Sequence, residues 1–185
     1  MLFRFLLIGL AASLASPSRA EAPETQEASA AAIDWVARGC TPEAAFGLRF
    51  GEQATEPGFR RLDEGHWPFS RLTLRSTERS RRLFLVETVG MFPEAPGSTR
   101  SDPEAGLRLF EALDARIVEH GAFTSRSRVL EADGDIEITY STPTSQPGSR
   151  VVLELTFMLG GAWVTCRDRA LLDLQFREVF QSPDR

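Results

Sequence analysis

The chain reads as an α+β domain: an antiparallel sheet of about five or six strands with one main helix packed on one face. Three observations predict it. Phe69 to Ser76 (FSRLTLRS) alternates apolar and polar residues, as a half-buried strand does. The stretch from Ser101 to His120 carries Leu109, Phe110, Leu113 and Ile117 at helical spacing. Two glycine turn signals, Asp133-Gly134 and Gly160-Gly161, divide the last third into a meander of strands.

The first twenty residues read as an export signal. Arg4 supplies a positive start, Phe5 to Ala15 (FLLIGLAASLA) a short apolar run, and Ser18-Arg19-Ala20 a small-residue cleavage site. The run is too short for a membrane span, which needs about 20 apolar residues. The expected organisation is a signal peptide at 1–20, a flexible leader at 21–28 (EAPETQEA, polar but for two alanines and a proline) and a single domain at 29–185. The working chain then starts at Glu21, has no integral membrane span, and lies in the periplasm or is secreted.

Each element of the domain has a local reason. Ser29 to Arg38 reads as a short helix with Ser29 as N-cap and Gly39 as stop. Phe46, Leu48 and Phe50 alternate as in a strand. Residues 52 to 68 read as a long loop, with Pro57-Gly58 and Gly65-His66-Trp67-Pro68 as turns. Phe69 to Ser76 and Arg81 to Gly90 form a β-pair around the turn Thr77 to Ser80. Ser101-Asp102-Pro103-Glu104 reads as a capping box, with Pro103 in the first turn. Gly121 ends the helix. A two-residue turn at Asp133-Gly134 would pair Val129 with Ile138 on one face. A turn at Gly160-Gly161 would set Leu155 opposite Cys166, on the core side. Residues 168–181 fit a helix or a strand, because Leu172, Leu174 and Phe176 also alternate.

Composition narrows the function. The formal charge is −5, and loss of Arg4 and Arg19 makes it −7. An acidic chain is a poor match for nucleic acid or anionic lipid. All 21 basic residues are arginine. The two cysteines, Cys40 and Cys166, are expected to form a disulfide in an oxidising compartment. Closing so long a loop is worth on the order of 4–5 kcal/mol in the chain-entropy account. No C-x-x-C spacing is present to make the pair redox-active.

No catalytic constellation stands out, and no cofactor or metal is expected. There is no G-x-S-x-G. The two histidines, His66 and His120, are far apart and lack zinc-site spacing. His120 falls at a helix end, where a cation is favourable. Asp133 and Asp135 flank a turn glycine, and a calcium loop would need more oxygen ligands. Arg79, Arg81 and Arg82 around the first hairpin turn, with His66 and Trp67 in the long loop, form the candidate partner surface. The unpaired edges of an antiparallel sheet are a second place where a partner chain can bind.

Phe46 to Gly51 (FGLRFG) near the start of the domain resembles a segment of small exported bacterial proteins of unknown function, a resemblance that implies export and no particular activity. The layout is also similar to small envelope modules that help assemble outer-membrane proteins. The two-helix start and lipid-anchor cysteine of that group are missing, so its function is not carried over. The leading expectation is an exported, periplasmic, non-enzymatic protein that binds another protein or a cell-envelope component such as cell wall. The alternatives are a small hydrolase or other enzyme with its site in the 52–68 loop, and a carrier of an apolar ligand between sheet and helix.

Overall fold

Seven antiparallel strands form one sheet, in the order Gly58–Arg61, Phe69–Ser76, Leu83–Met91, Gly161–Asp168, Arg150–Met158, Ile136–Pro143 and Ser125–Leu130. The structure is a computed structural model and describes residues 28–53, 58–95, 98–132 and 134–180. The expected signal segment, all of the leader except Ala28, and Asp133 lie outside the described residues. No described helix is long and apolar enough to cross a membrane.

In chain order the elements are α1 (Ala30–Arg38), β1 (Ala44–Ala45), β2 (Leu48–Arg49), β3 (Gly58–Arg61), a 3-10 turn (Glu64–His66), β4 (Phe69–Ser76) and β5 (Leu83–Met91). Then come α2 (Pro103–His120), β6 (Ser125–Leu130), β7 (Ile136–Pro143), β8 (Arg150–Met158), β9 (Gly161–Asp168) and α3 (Arg169–Phe180). The sheet is thus larger than the expected five or six strands, and among the described residues three helices accompany it: α2, α1 where a short helix was expected, and α3 where helix or strand was left open. The strand missed from sequence is β3. It is a four-residue edge strand, exposed throughout, so no apolar periodicity marks it.

The sheet has one dry face. Val86, Cys166, Leu153 and Tyr140 form one cross-strand row, and Thr88, Val164, Leu155 and Ile138 the next. All eight are buried, under Leu109, Phe110, Leu113 and Ile117 of α2. α1 packs on α2 and carries Cys40 to a disulfide with Cys166, their Cα atoms 5.7 Å apart. The opposite face carries Glu87, Thr165, Glu154 and Thr139 in one row, all half-buried. α3 turns back from the end of β9 to contact β5, β8 and β9. Asp168 caps it by accepting from the Leu171 amide at 3.1 Å, which resolves residues 169–180 as helix.

Several local expectations are corrected. Phe46, Leu48 and Phe50 do not share a strand. Phe46 and Gly47 both take positive φ, 52° and 78°, and form the turn between β1 and β2. The N-cap of α2 is Asp102 instead of Ser101: its Oδ1 accepts from the Glu104 and Ala105 amides at 2.9 and 3.1 Å. Ser101 donates instead to the Leu159 carbonyl, 2.8 Å away. Val129 pairs with Glu137, and Ile138 with Arg128. The loop closes from Glu131 to Asp135, one residue longer than a two-residue turn allows. A one-residue slip exchanges the faces, so Val129 is exposed while Ile138 is buried. The β8–β9 turn is Leu159-Gly160, which sets Leu153 opposite Cys166. That two-residue shift keeps parity, and Cys166 stays on the core side.

α2 is held close to this turn. A Cβ on Gly106 would overlap the Gly160 carbonyl oxygen, so only glycine allows the helix to approach so closely. Leu113 is wholly buried at the middle of the α2 contact face. Leu113→Ala is expected to destabilise the fold by about 2–5 kcal/mol. Arg108 is half-exposed, 3.9 Å from Glu104, and Arg108→Ala should change stability by less than about 1 kcal/mol. Denaturant unfolding of both variants checks the assignment; equal losses would place the wrong face inward.

Candidate binding cleft

The surface expected from sequence is divided between the two ends of β4. Eight residues of strand, roughly 23 Å, separate the Arg79-Arg81-Arg82 turn from His66 and Trp67. At the turn, the Arg79 amide donates to Glu178 of α3 at 2.7 Å, and the Ser80 hydroxyl donates to the same carboxylate at 2.6 Å. Burial works against the Glu178 charge. The Ser80 hydroxyl, the two backbone amides and the Arg79 charge outweigh it and hold the carboxyl below its ordinary range. Arg81 has a positive φ of 54°, and the Arg82 amide donates to Thr77 at 2.9 Å. The hairpin tip is therefore tied to α3 through its backbone.

His66 and Trp67 part company. The His66 ring packs edge-on against Trp35 at 4.3 Å, and its Nδ1 lies 2.5 Å from the Asp63 carboxylate, which is largely exposed. Trp67 packs against Phe92 at 6.2 Å instead, next to a cis bond to Pro68. His120 does not simply cap α2, which ends on Gly121 at φ 63°. Its Nε2 lies 3.0 Å from Asp34 of α1. Asp34 Oδ1 also accepts from Arg116 at 2.7 and 2.9 Å, and Oδ2 lies 3.0 Å from Arg38. This cluster clasps α1 to α2.

Trp67 opens onto a cleft of about 410 Å³ at the far end of the open sheet face. Three features shape it. First, β4 bulges between Phe69 and Leu72: Phe69 pairs with Gly90 and Leu72 with Thr88, so Ser70 and Arg71 both oppose Val89. A bulge of this kind re-aims a side chain, here Arg71. Second, the strand pairing sets Trp163 of β9 beside Val89. Third, the segment after β5 folds into a rim. Its ends meet in a bridge from Pro93 to Ser101, and the Glu94 amide donates to the Arg100 carbonyl at 2.8 Å. The cleft is lined by Trp67, Arg71, Met91, Phe92, Arg100 and Trp163, together with Ser70, Thr99 and neighbouring residues.

The electrostatics of the cleft are one-sided. No acidic residue is among its described lining, in a chain with 26 of them. Arg61 lies directly across from Arg71, and like charges so placed repel. Among the described residues, Arg61, Arg71 and Arg100 form no ion pair, and Arg71 rests 5.8 Å from the Phe59 ring centre. The Trp163 Nε1–H is buried beneath the cleft surface and has no acceptor among the described residues. Indole faces, guanidinium donors and hydroxyls can hold a ligand. Among the described residues no three His, Cys, Asp or Glu side chains gather as for a metal.

Of the cleft residues, sequence reading singled out only Trp67. Arg71, Arg100 and Trp163 meet through a bulge and a long-range pairing that no local pattern encodes. One signal was available: with Cys166 on the core side, Trp163 falls by alternation on the open side, an unusual place for so large an aromatic. A second cavity, about 220 Å³, lies between α1 and α2 beside Phe92 and Leu109, not between sheet and helix where an apolar carrier site was expected. It is smaller than the roughly 300–1,000 Å³ of most ligand sites.

Hydrogen bonding from Arg116, opposed by burial and supported by His120 and Arg38, holds the Asp34 carboxyl below its ordinary range. A carboxyl held low adds stability above that range and loses it as pH falls through the lowered value. Asp34→Asn should therefore lower the thermal midpoint at neutral pH, and the gap to the parent chain should narrow below about pH 4. Thermal unfolding across that range checks this; a gap that does not change with pH would contradict it. No protein-family model matches the chain, and neither a curated protein nor a solved structure does.

Proposed function

We propose that this is an exported, non-enzymatic binding protein that holds a component of the cell envelope in the Trp67–Trp163 cleft. The observation that carries the reading is a cleft that sets two indoles, Trp67 and Trp163, beside two guanidinium groups, Arg71 and Arg100, that form no ion pair among the described residues. Export is supported by the sequence of residues 1–20 and by a disulfide that suits an oxidising compartment. The binding reading is favoured over a hydrolase in the 52–68 loop. The carboxylate partner of His66 is largely exposed and its ring is packed on Trp35, a poor setting for a general base.

The test uses the full-length chain in the cell that makes it. A photo-crosslinking amino acid replaces Thr99 on the cleft rim, or Arg177 on α3 as control. The expected result is a chain recovered from the periplasmic fraction, with an adduct to envelope material from position 99 alone that is lost with Trp67→Ala. Cytosolic residence, no adduct at position 99, or equal adducts at both positions would contradict the reading.

A further inference from the structure

Resting on the reading of the cleft as the binding site, we infer that its ligand is an anionic saccharide, a sugar whose carboxylate or phosphate group meets Arg71 and Arg100. Two sets of observations lead there. The first concerns charge. Arg71 and Arg100 line one cleft without an acidic neighbour in its described lining, and Arg61 stands opposite Arg71 across the strand pair. A chain of net charge −5 thus concentrates unneutralised guanidinium at one place. Guanidinium binds carboxylate and phosphate through paired, charge-assisted hydrogen bonds.

The second concerns shape and surface. Trp67 is 43% exposed, and Trp163 is half-buried across the cleft from the rim. Ser70 and Thr99 add exposed hydroxyls to the same lining. A sugar ring has apolar C–H faces that stack on an indole and an equator of hydroxyls that pair with polar side chains. A purely apolar ligand would leave the guanidinium and hydroxyl groups desolvated without partners. A long polyanion such as nucleic acid is disfavoured by the acidic chain. About 410 Å³ suits a disaccharide and falls within the range of small-ligand sites.

The test measures tryptophan fluorescence and titration calorimetry on the disulfide-bonded exported chain. The probes are digalacturonate, its neutral counterpart galactobiose, and glucose 6-phosphate. The expected result is that digalacturonate or glucose 6-phosphate binds at least about tenfold more tightly than galactobiose. Arg71→Gln and Arg100→Gln should each abolish that preference while the chain keeps a single cooperative unfolding transition. Preference for digalacturonate identifies carboxylate as the charge, and preference for glucose 6-phosphate identifies phosphate. Equal binding of galactobiose, unaffected by the arginine variants, would overturn the inference while leaving the cleft as the binding site. So would failure of all three sugars alongside a specific protein adduct at position 99. Failure of all three with no adduct at position 99 would overturn both.

Discussion

The pairing of β5 with β9 organises the rest of the molecule. Seven consecutive residue pairs, from Leu85–Arg167 to Met91–Gly161, join a meander of β3, β4 and β5 to a meander of β6 through β9. α2 lies between the two in sequence and is buried against the sheet that the pairing creates. The partners are far apart along the chain, so their contact closes a long loop and must be repaid by burial across both sheet halves. Val86, Thr88, Val164 and Cys166 provide it, each almost wholly removed from solvent.

Alternation along β9 then ties core to cleft. Ala162, Val164 and Cys166 point to the dry side, and Trp163, Thr165 and Arg167 to the other. The same register that sets Cys166 within reach of Cys40 sets Trp163 beside Val89 at the cleft wall. Around this centre, ion pairs fasten the periphery. Asp34 clasps α1 to α2 through Arg116 and His120. Asp114 of α2 accepts from Tyr140 and, at 2.6 Å, from Arg126, which ties the helix to β6 and β7. Burial first, and the Asp114 contact next, push the Tyr140 hydroxyl well above its ordinary range, so it stays protonated and a donor. The open face keeps a half-buried Glu154–Arg167 pair whose carboxyl burial pushes upward.

What the sequence shows best is local chemistry under strong patterning. The α1 cap at Ser29, the α2 stripe and the Gly121 stop all rest on neighbours within a turn, and they appear where expected. Registers are less legible, because turn length decides them. The Glu131–Asp135 loop moved Val129 to the open face by a single residue, while the two-residue shift at Leu159-Gly160 left Cys166 inward. β3 escaped notice because an exposed edge has no apolar rhythm. The cleft was the least legible part. Trp67 could be picked out from its loop, but Arg71 depends on a bulge, Trp163 on the β5–β9 pairing, and Arg100 on the fold of the rim.

The most direct measurement is the set of cross-strand backbone contacts between β5 and β9, read by nuclear Overhauser spectroscopy on the isotope-labelled chain. Contacts linking Val89 to Trp163, Thr88 to Val164 and Val86 to Cys166, alongside those of Cys166 with Leu153, are the predicted result. A β9 that contacts β8 alone, or a register in which Trp163 shares the side of Val86, would contradict both the core and the cleft.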